Sequence, residues 1–299
     1  MVPGDPAFQL FSGTAVLPYL QGSSSSSAEP PLPPPPPPVE VFPLELPSPV
    51  GYNVDPVNLD GVTLLKGRVS TKEVFGLPSS DLVPGVYEGG LKLWEGSLDL
   101  IRSLQSEIKS KQFSFHGKHV LELGCGHGLP GIFACLQGAA AVHFQDFNSE
   151  VLQHLTIPNV NTNLSENHIN EPDMISKLDL RYFAGCWSQV HESLPLIRKD
   201  HGSTCDTDRN QSGYDIILMA ETIYSVATQH HLLSLIKKCL SAPSGVVYLA
   251  AKKHYFGVGG GTRQFLTLVE KDGFMASCLV DEVTDGFSNV REVWKLSIK

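Results

Sequence analysis

Along most of this chain, stretches with the hydrophobic spacing of helices alternate with short apolar runs typical of buried strands. Leu98, Ile101, Leu104 and Ile108 recur at three- and four-residue spacing, which predicts one face of a helix. Short, nearly continuous apolar runs predict buried strands, and helical patterns separate them through Phe133 and Leu136, around Val151 to Val160, and at Leu232, Ile236 and Leu240. The predicted strands are His119–Leu123, Ala141–Gln145, Arg181–Phe183, Tyr214–Ala220 and Gly245–Ala250.

The last part of the chain follows a different pattern. Phe274–Val283 and Asn289–Lys299 both have the composition of strands, and the short connection Thr284–Ser288 suits an antiparallel hairpin. Strands that alternate with helices indicate a parallel sheet covered on both faces. We therefore predict an α/β fold with a doubly wound, seven-stranded sheet, mostly parallel and closed by an antiparallel C-terminal hairpin.

Composition divides the chain into two parts. Residues 1–50 contain the serine run Ser23–Ser27 and the proline run Pro33–Pro38, so we expect this segment to be disordered. The predicted folded domain is 51–299, with a lead-in over 51–115, a strand pair within Gly61–Thr71, and a Rossmann-like core over 116–299. A polar insert at Ser165–Leu178 and a mobile loop at Arg198–Gly213 are expected within the core.

Charge and cysteine usage narrow the class of partner. The formal net charge is −9 in 299 residues, which argues against a phosphate-binding surface and direct nucleic-acid binding. The six cysteines are scattered, without a metal-binding spacing, so we expect reduced thiols and no metal. Neither a signal peptide nor a membrane-spanning run is evident, and we expect a monomer in the cytoplasm or nucleus.

One glycine turn carries the candidate chemistry. The stretch VLELGCGHGLPGI (Val120–Ile132) follows a predicted strand and fits two templates. Gly126 to Gly131 matches G-x-G-x-x-G, which implies NAD, whereas Glu122 to Gly128 matches the E/D-x-G-x-G-x-G turn of methyltransferases, which implies S-adenosylmethionine. Three alternating glycines here, Gly124, Gly126 and Gly128, exceed what helix packing alone requires.

The acid at the strand end favours the second template. A carboxylate at Glu122 is expected to face the cofactor, where it would repel a pyrophosphate and stabilise an ammonium. Asp146 follows the next strand at the separation expected for a ligand of the ribose hydroxyls, which both cofactors possess. The terminal hairpin is also how the methyltransferase sheet ends. These features together predict S-adenosylmethionine.

Two longer motifs are more specific than the turn. In GVYEGGLKLWEG (Gly85–Gly96) and HYFGVGGG (His254–Gly261), the sequence resembles the protein-histidine N-methyltransferases, a family of seven-β-strand enzymes, over 81–299. Glu221-Thr222-Ile223-Tyr224 is similar to the D/E-x-x-Y signature shared with sister lysine methyltransferases. The resemblance implies transfer of a methyl group from S-adenosylmethionine to one histidine of a large-subunit ribosomal protein, on the imidazole nitrogen remote from the main chain.

The resemblance also implies a cofactor site, to which Trp187 would contribute an aromatic face for the adenine and Glu95 a carboxylate for the methionine ammonium. Trp187 could instead be a tryptophan of the hydrophobic core. Glu95 could instead stabilise the start of a helix electrostatically. With the turn residues Glu122, Gly126 and Gly128, the predicted cofactor ligands are Leu93, Trp94, Glu95, Gly96, Ser97, Gly124, Gln145, Asp146, Phe147, Asn148, Gly185, Cys186, Trp187 and Ala220.

Catalysis is expected to centre on Glu221 and Tyr224, which follow the carboxyl end of a central strand, where open α/β sheets bind ligands. One of the two would hydrogen-bond an imidazole nitrogen and aim the acceptor, although Glu221 could instead cap the next helix. His254, Tyr255, Gly259 and Gly260 are the predicted substrate-binding residues, in a glycine-rich loop that would either admit a substrate segment closely or act only as a spacer.

Other functions remain open from the sequence. A lysine methyltransferase of the same fold differs only in its acceptor, and a non-catalytic scaffold for ribosomal or other basic proteins would keep the cofactor pocket. A nicotinamide oxidoreductase would use the same glycine turn. The glycine-rich loop FGVGGG (Phe256–Gly261) favours histidine over lysine as the acceptor.

Overall fold

A mixed eight-stranded sheet organises the protein. The computed structural model describes residues 34–43, 51–78, 80–167, 178–197, 213–284 and 290–299, which fall in one compact unit spanning 33–299. In chain order the strands are β1 (Val39–Val41), β2 (Asn53–Leu59), β3 (Val62–Arg68), β4 (His119–Leu123), β5 (Ala141–Asp146), β6 (Asp179–Ala184), β7 (Ile216–Ala220), β8 (Val246–Lys252), β9 (Met275–Val283) and β10 (Arg291–Ile298).

The strand order of the main sheet is β1-β6-β5-β4-β7-β8-β10-β9, and β2 pairs separately with β3. Strands β4 to β8 run parallel, while β10 is antiparallel to both β8 and β9. This arrangement confirms the predicted α/β fold with its antiparallel C-terminal hairpin. The sheet has eight strands, not the seven predicted, because β1 adds one at the β6 edge.

Strand β1 lies within the segment that we expected to be disordered. Val39–Val41 pairs antiparallel with β6, and both nitrogens of the Arg181 guanidinium fork donate to the Glu40 carboxylate at 2.7 Å. Val41 is buried. The expectation that order begins near Gly51 is therefore wrong, and the remaining residues of that segment, 1–33 and 44–50, lie outside the described residues.

The helices connect the strands as predicted, with two additions. The first addition is short and lies in the lead-in after β3, and the second, which precedes β9, had no sequence prediction. The helices are α1 (Thr71–Phe75), α2 (Glu95–Lys109), α3 (Leu129–Leu136), α4 (Ser149–Val151 continuing through a π-helical turn, Leu152–Thr156, into Ile157–Asn167), α5 (Val226–Cys239) and α6 (Thr262–Asp272).

The hydrophobic core forms on both faces of the sheet. Along β4, Val120 packs with side chains of α2, α3 and α4, whereas its neighbour Leu121 packs with those of α5 and α6. This alternation follows from the two-residue period of a strand and explains why the buried strands read as nearly continuous apolar runs. It also determines which face each polar residue of β4 occupies.

The lead-in hairpin differs from its prediction. The segment Gly61–Thr71 supplies one strand, β3, and its partner is β2, which precedes it. Most of the predicted insert Ser165–Leu178, of the loop Arg198–Gly213 and of the connection Thr284–Ser288 lies outside the described residues, although 165–167 of the insert belong to α4. Within the described ranges, no helix combines the length and apolar composition needed to cross a membrane.

Candidate active site

A cavity of about 230 Å³ opens at the carboxyl ends of β4, β5, β6 and β7. This is the edge at which parallel α/β sheets bind their ligands. The cavity is lined by the predicted residues Leu93, Trp94, Ser97, Gly124, Gly126, Asp146, Phe147, Gly185, Cys186, Trp187, Ala220, Glu221, Tyr224 and Tyr255. Most of the site predicted from separate stretches of sequence thus comes together in one place.

The glycine turn between β4 and α3 needs glycine for backbone reasons. Gly124, Gly126 and Gly128 have φ angles of 62°, 48° and 70°, in the left-handed region. A Cβ added at Gly126 would lie 2.9 Å from the carbonyl oxygen of Gly90, and one at Gly124 would lie 2.8 Å from a methyl carbon of Thr222. The turn can therefore approach its neighbours only without side chains.

Asp146, at the end of β5, holds this turn in place. One carboxylate oxygen accepts a hydrogen bond from the Gly126 amide at 2.9 Å, and the other accepts from the Asn148 amide at 3.1 Å. Burial raises the pKa of Asp146 to about 6 in spite of these bonds, and the Glu88 charge also raises it. The carboxylate faces the cavity, where ribose hydroxyls would satisfy its remaining acceptor capacity.

Gln145 supports the cavity wall without lining it. Its amide oxygen accepts from the Trp187 indole at 2.9 Å and from the Gly124 amide at 3.3 Å, and its amide nitrogen donates to the Gly185 carbonyl at 2.9 Å. These bonds fix the indole beside the glycine turn. Trp187 is thus available to cover an adenine ring, as predicted.

Glu122 does not face the cavity, contrary to the sequence interpretation. It shares a face of β4 with Val120 and so points toward α3, where it accepts from the Gly131 amide at 2.8 Å. A Cβ at position 131 would lie 2.6 Å from the carboxylate, so glycine there makes room for the acid. Burial raises the pKa of Glu122 well above its ordinary value. The residue stabilises the turn rather than contacting the ligand.

Glu95 is also placed differently from its predicted role. Its side chain is 65% exposed and accepts from the Arg291 guanidinium at 2.6 Å, outside the cavity. Two other predicted ligands lie outside the cavity lining and hold neighbouring backbone in place. The Asn148 side chain donates to the Val86 carbonyl at 2.8 Å, and Gly128 is the N-cap of α3. The predicted residues that do not line the cavity are Glu95, Gly96, Glu122, Gly128, Gln145, Asn148, His254, Gly259 and Gly260.

Glu221 is the most unusual side chain of the site. It follows β7 directly and has φ of 57°, a left-handed conformation that is rare for a non-glycine residue, while its amide donates to the Ala250 carbonyl at 2.8 Å. The carboxylate is buried; Oε2 accepts from the Tyr255 hydroxyl, and Oε1 has no hydrogen-bond partner among the described residues. Burial raises the pKa of Glu221.

Gly96 explains how this carboxylate fits beneath α2. A Cβ at Gly96 would lie 2.7 Å from Oε1 of Glu221, so a larger residue would displace the acid. Gly96 therefore still matters to the site, but its role is to leave space for the Glu221 carboxylate. The alternative that Glu221 caps the following helix is not seen, since the N-cap of α5 is Ser225.

Tyr224 pairs with a residue that sequence reasoning had not selected. Its hydroxyl donates to the Glu88 carboxylate, whose other oxygen accepts from the Gly85 amide at 2.7 Å. Burial and the Glu88 charge raise the pKa of Tyr224. Glu88 lies in the motif GVYEGGLKLWEG, which provided the only sequence signal for it.

The glycine-rich loop after β8 packs against its own chain. The Gly260 amide donates to the Tyr224 carbonyl at 3.0 Å, and a Cβ at Gly260 would lie 2.2 Å from the carbonyl oxygens of both Ile223 and Tyr224. Gly260 is therefore required for this internal contact. Tyr255 lines the cavity, whereas His254 lies outside it with its ring 6.5 Å from that of Phe256.

Eleven lining residues were not predicted individually, although eight of them lie in the motifs quoted above. They contribute through contacts between distant parts of the chain. They are Asp81, Leu82, Glu88, Gly89, Gly90, Lys92, Cys125, His127, Thr222, Thr228 and Val258.

The charge of the lining suits a cationic ligand. Glu88, Asp146 and Glu221 all border the cavity, and Lys92, which also borders it, is paired with Asp81 at 2.5 Å. A ligand with an ammonium and a sulfonium would be attracted by these carboxylates, whereas a pyrophosphate would be repelled. The lining therefore fits S-adenosylmethionine better than NAD, although Glu122 is not the acid responsible.

Comparison with known proteins supports the resemblance that the motifs indicated. A family model described as lysine methyltransferase matches residues 85–180. A histidine protein methyltransferase 1 homologue from Dictyostelium discoideum is 41% identical over 223 residues, which cover 75% of this chain and 62% of that protein. The resemblance to the histidine protein methyltransferases is confirmed.

Two further relatives of the same name agree. The Bos taurus homologue is 40% identical over 229 residues, covering 69% of this chain and 55% of that protein, and the Schizosaccharomyces pombe protein is 32% identical over 220 residues, covering 64% and 60%. This chain thus spans less than two thirds of the length of these histidine methyltransferase relatives. The prediction of S-adenosylmethionine as the cofactor is confirmed by the match to methyltransferases.

Proposed function

We propose that this protein is an S-adenosylmethionine-dependent protein-histidine N-methyltransferase. The observation that supports it most is the state of Glu221, which lines the cavity: one carboxylate oxygen is held by the Tyr255 hydroxyl, and the other is buried without a hydrogen-bond partner among the described residues. A buried acceptor without a donor is costly, and a donor supplied by the substrate would remove that cost. The N–H of an imidazole is such a donor.

The bound cofactor supplies an electrophilic methyl group on a sulfonium. A histidine acceptor is largely neutral at pH 7, because its ordinary pKa is about 6.5, so it needs orientation more than deprotonation. If Glu221 accepts the N–H of one imidazole nitrogen, the lone pair of the other nitrogen is fixed toward the methyl carbon. With the cofactor bound, the methyl group would pass from the sulfonium to that nitrogen, and the Glu221 carboxylate would accept the N–H proton and release it to solvent.

Glu221 suits this role better than Tyr224. The Tyr224 hydroxyl is bonded to Glu88, whereas Oε1 of Glu221 has no hydrogen-bond partner among the described residues. Tyr255 contributes as a positioning residue, since its hydroxyl restricts the carboxylate to one orientation. Holding the acceptor close and collinear with the methyl group accounts for most of the acceleration expected of such an enzyme.

For the substrate, we propose one histidine of a large-subunit ribosomal protein, methylated on the nitrogen remote from its main chain. The family resemblance supports this choice, as does the net charge of −9, which favours a basic partner. Encounter with newly made ribosomal proteins would take place in the cytoplasm or nucleus.

A lysine acceptor is the second candidate, because the matching family model is described as lysine methyltransferase. Both acceptors are distinguished by methyl transfer from radiolabelled S-adenosylmethionine to a ribosomal-protein fraction, followed by acid hydrolysis. We expect label in methylhistidine. Label in methyllysine would support the second candidate, and cofactor binding without any label would support a non-catalytic scaffold.

A suitable blank for this assay is Gly124→Arg. The residue has a left-handed φ, and a Cβ there would already lie 2.8 Å from Thr222, so the arginine side chain would occupy the cavity. We expect this variant to neither bind the cofactor nor transfer label.

A further inference from the structure

Three exposed apolar side chains lie on two segments beside the cavity, at the start of α5 and in the loop after β8. Val226, Phe256 and Val258, which we call the rim patch, have exposed fractions of 41%, 84% and 47%. Single exposed hydrophobic residues are ordinary on protein surfaces, but adjacent ones beside a ligand cavity mark an interaction site.

Contacts on two loops bring the rim patch together. Val258 itself lines the cavity. A Cβ at Gly259, the residue after Val258, would lie 3.7 Å from a methyl carbon of Val226, and the backbones of Ser225 and Gly259 form an antiparallel bridge. The patch is therefore continuous with the catalytic pocket rather than separate from it.

Phe256 lies in the turn between Tyr255 and Val258, both of which line the cavity. Tyr255 precedes it directly and donates its hydroxyl to Glu221. The turn is closed by hydrogen bonds from the Val258 and Gly259 amides to the Tyr255 carbonyl, at 3.2 and 2.9 Å. It is anchored at its other end, where the Gly260 carbonyl accepts from the Tyr255 amide at 2.9 Å. Phe256 is thus presented to solvent from an ordered turn.

We propose that the rim patch binds an apolar side chain located within about two residues of the acceptor histidine in the protein substrate. This inference rests on the proposed function. Consecutive residues are 3.8 Å apart, so a segment that delivers its histidine to Glu221 must cross the mouth of the cavity within one or two positions. An apolar side chain at that point would remove the rim patch from water.

The test compares two exposed phenylalanines. Phe256→Ser removes the rim side chain, and Phe42→Ser, at a 67% exposed position beside β1, is the matched control. Steady-state methylation of a ribosomal-protein fraction gives kcat and KM for each, while calorimetry gives the Kd for S-adenosylmethionine. Phe256→Leu, which keeps an apolar side chain, provides the rescue.

We expect Phe256→Ser to raise KM for the protein substrate at least about tenfold, with kcat and cofactor Kd within about twofold of the wild type. Phe256→Leu should recover most of the affinity, and Phe42→Ser should match the wild type. Equal KM values for Phe256→Ser and Phe42→Ser would overturn the inference.

Hydrolysis of the labelled product reports separately on the proposed function. Methyllysine in place of methylhistidine would contradict the histidine assignment while leaving the KM comparison of the two phenylalanine variants valid. Absence of label with the wild type would contradict the proposed function and, with it, this inference.

Discussion

Tyr255 donates its hydroxyl hydrogen to Oε2 of Glu221, although the two residues are 34 positions apart in the chain. The bond joins the end of β7 to the loop after β8 and leaves Oε1 of Glu221, a residue that lines the cavity, without a hydrogen-bond partner among the described residues. This pairing is the basis of the catalytic proposal, because it orients a buried carboxylate toward a substrate donor.

Replacement of Glu221 by glutamine should therefore reduce turnover. We expect Glu221→Gln to lower kcat by about 10²-fold or more, since the amide cannot accept the imidazole proton. Tyr255→Phe should lower kcat by about tenfold through loss of one hydrogen bond to a charged group. Steady-state kinetics measure both, and cofactor Kd within about twofold of wild type shows that the pocket is intact. Wild-type kcat in both variants would contradict the role.

The pH dependence of turnover should reflect the same carboxyl group. Because burial raises the pKa of Glu221, the acid remains protonated to a higher pH than an exposed glutamate. Turnover should then rise with pH through this raised pKa as the carboxylate forms. A kcat–pH profile should show this acid limb in the wild type, whereas Glu221→Gln should keep only the limb of the substrate imidazole, whose ordinary pKa is about 6.5. An identical limb in both proteins would assign the titration to another group.

Asp146 should couple stability to pH in the absence of cofactor. Its pKa is raised from 3.8 to about 6, so the folded protein holds this proton more tightly than the unfolded chain does. Its stabilising contribution is therefore complete below about pH 4 and is lost as pH rises through 6, by about 3 kcal/mol in total. Urea unfolding from pH 4.5 to 7 should show this loss in the wild type relative to Asp146→Asn. Parallel stability curves would contradict the assignment.

Two glycines of the same loop should differ in their tolerance of alanine. A Cβ at Gly260 would lie 2.2 Å from two carbonyl oxygens, so Gly260→Ala should lower the free energy of unfolding by about 2–3 kcal/mol. At Gly257 nothing lies within 4 Å of an added Cβ, and only the φ of 80° opposes alanine, at about 1 kcal/mol. Equal losses of unfolding free energy for the two variants, measured by urea denaturation, would contradict the packing role of Gly260.

Regular elements with a clear period were predictable from sequence. The strand His119–Leu123 was predicted with its observed bounds, and the glycine turn that follows it lies at the cavity as expected. Both depend on local composition. Strand β1 was missed because it follows a proline run, and its pairing depends on Arg181, which lies 141 residues from Glu40.

Side-chain direction was less predictable than position. The pattern of β4 located Glu122 at the strand end but gave no indication that Gly131 would leave space for its carboxylate beneath α3. Likewise, the role of Glu88 depends on Tyr224, which is 136 residues away in sequence. Such contacts require the tertiary fold, so sequence identified the site but not the partners within it.

The central claim is that Glu221 aims one nitrogen of a substrate histidine at the methyl group. It is tested most directly by chromatographic identification of the methylhistidine isomer that forms in the ribosomal-protein fraction, with wild type and Glu221→Gln compared at equal cofactor saturation. We predict the isomer methylated on the remote nitrogen from the wild type and at least a 10²-fold lower yield from the variant. Methyllysine, the isomer methylated on the nearer nitrogen, or an equal yield from both proteins would contradict the account.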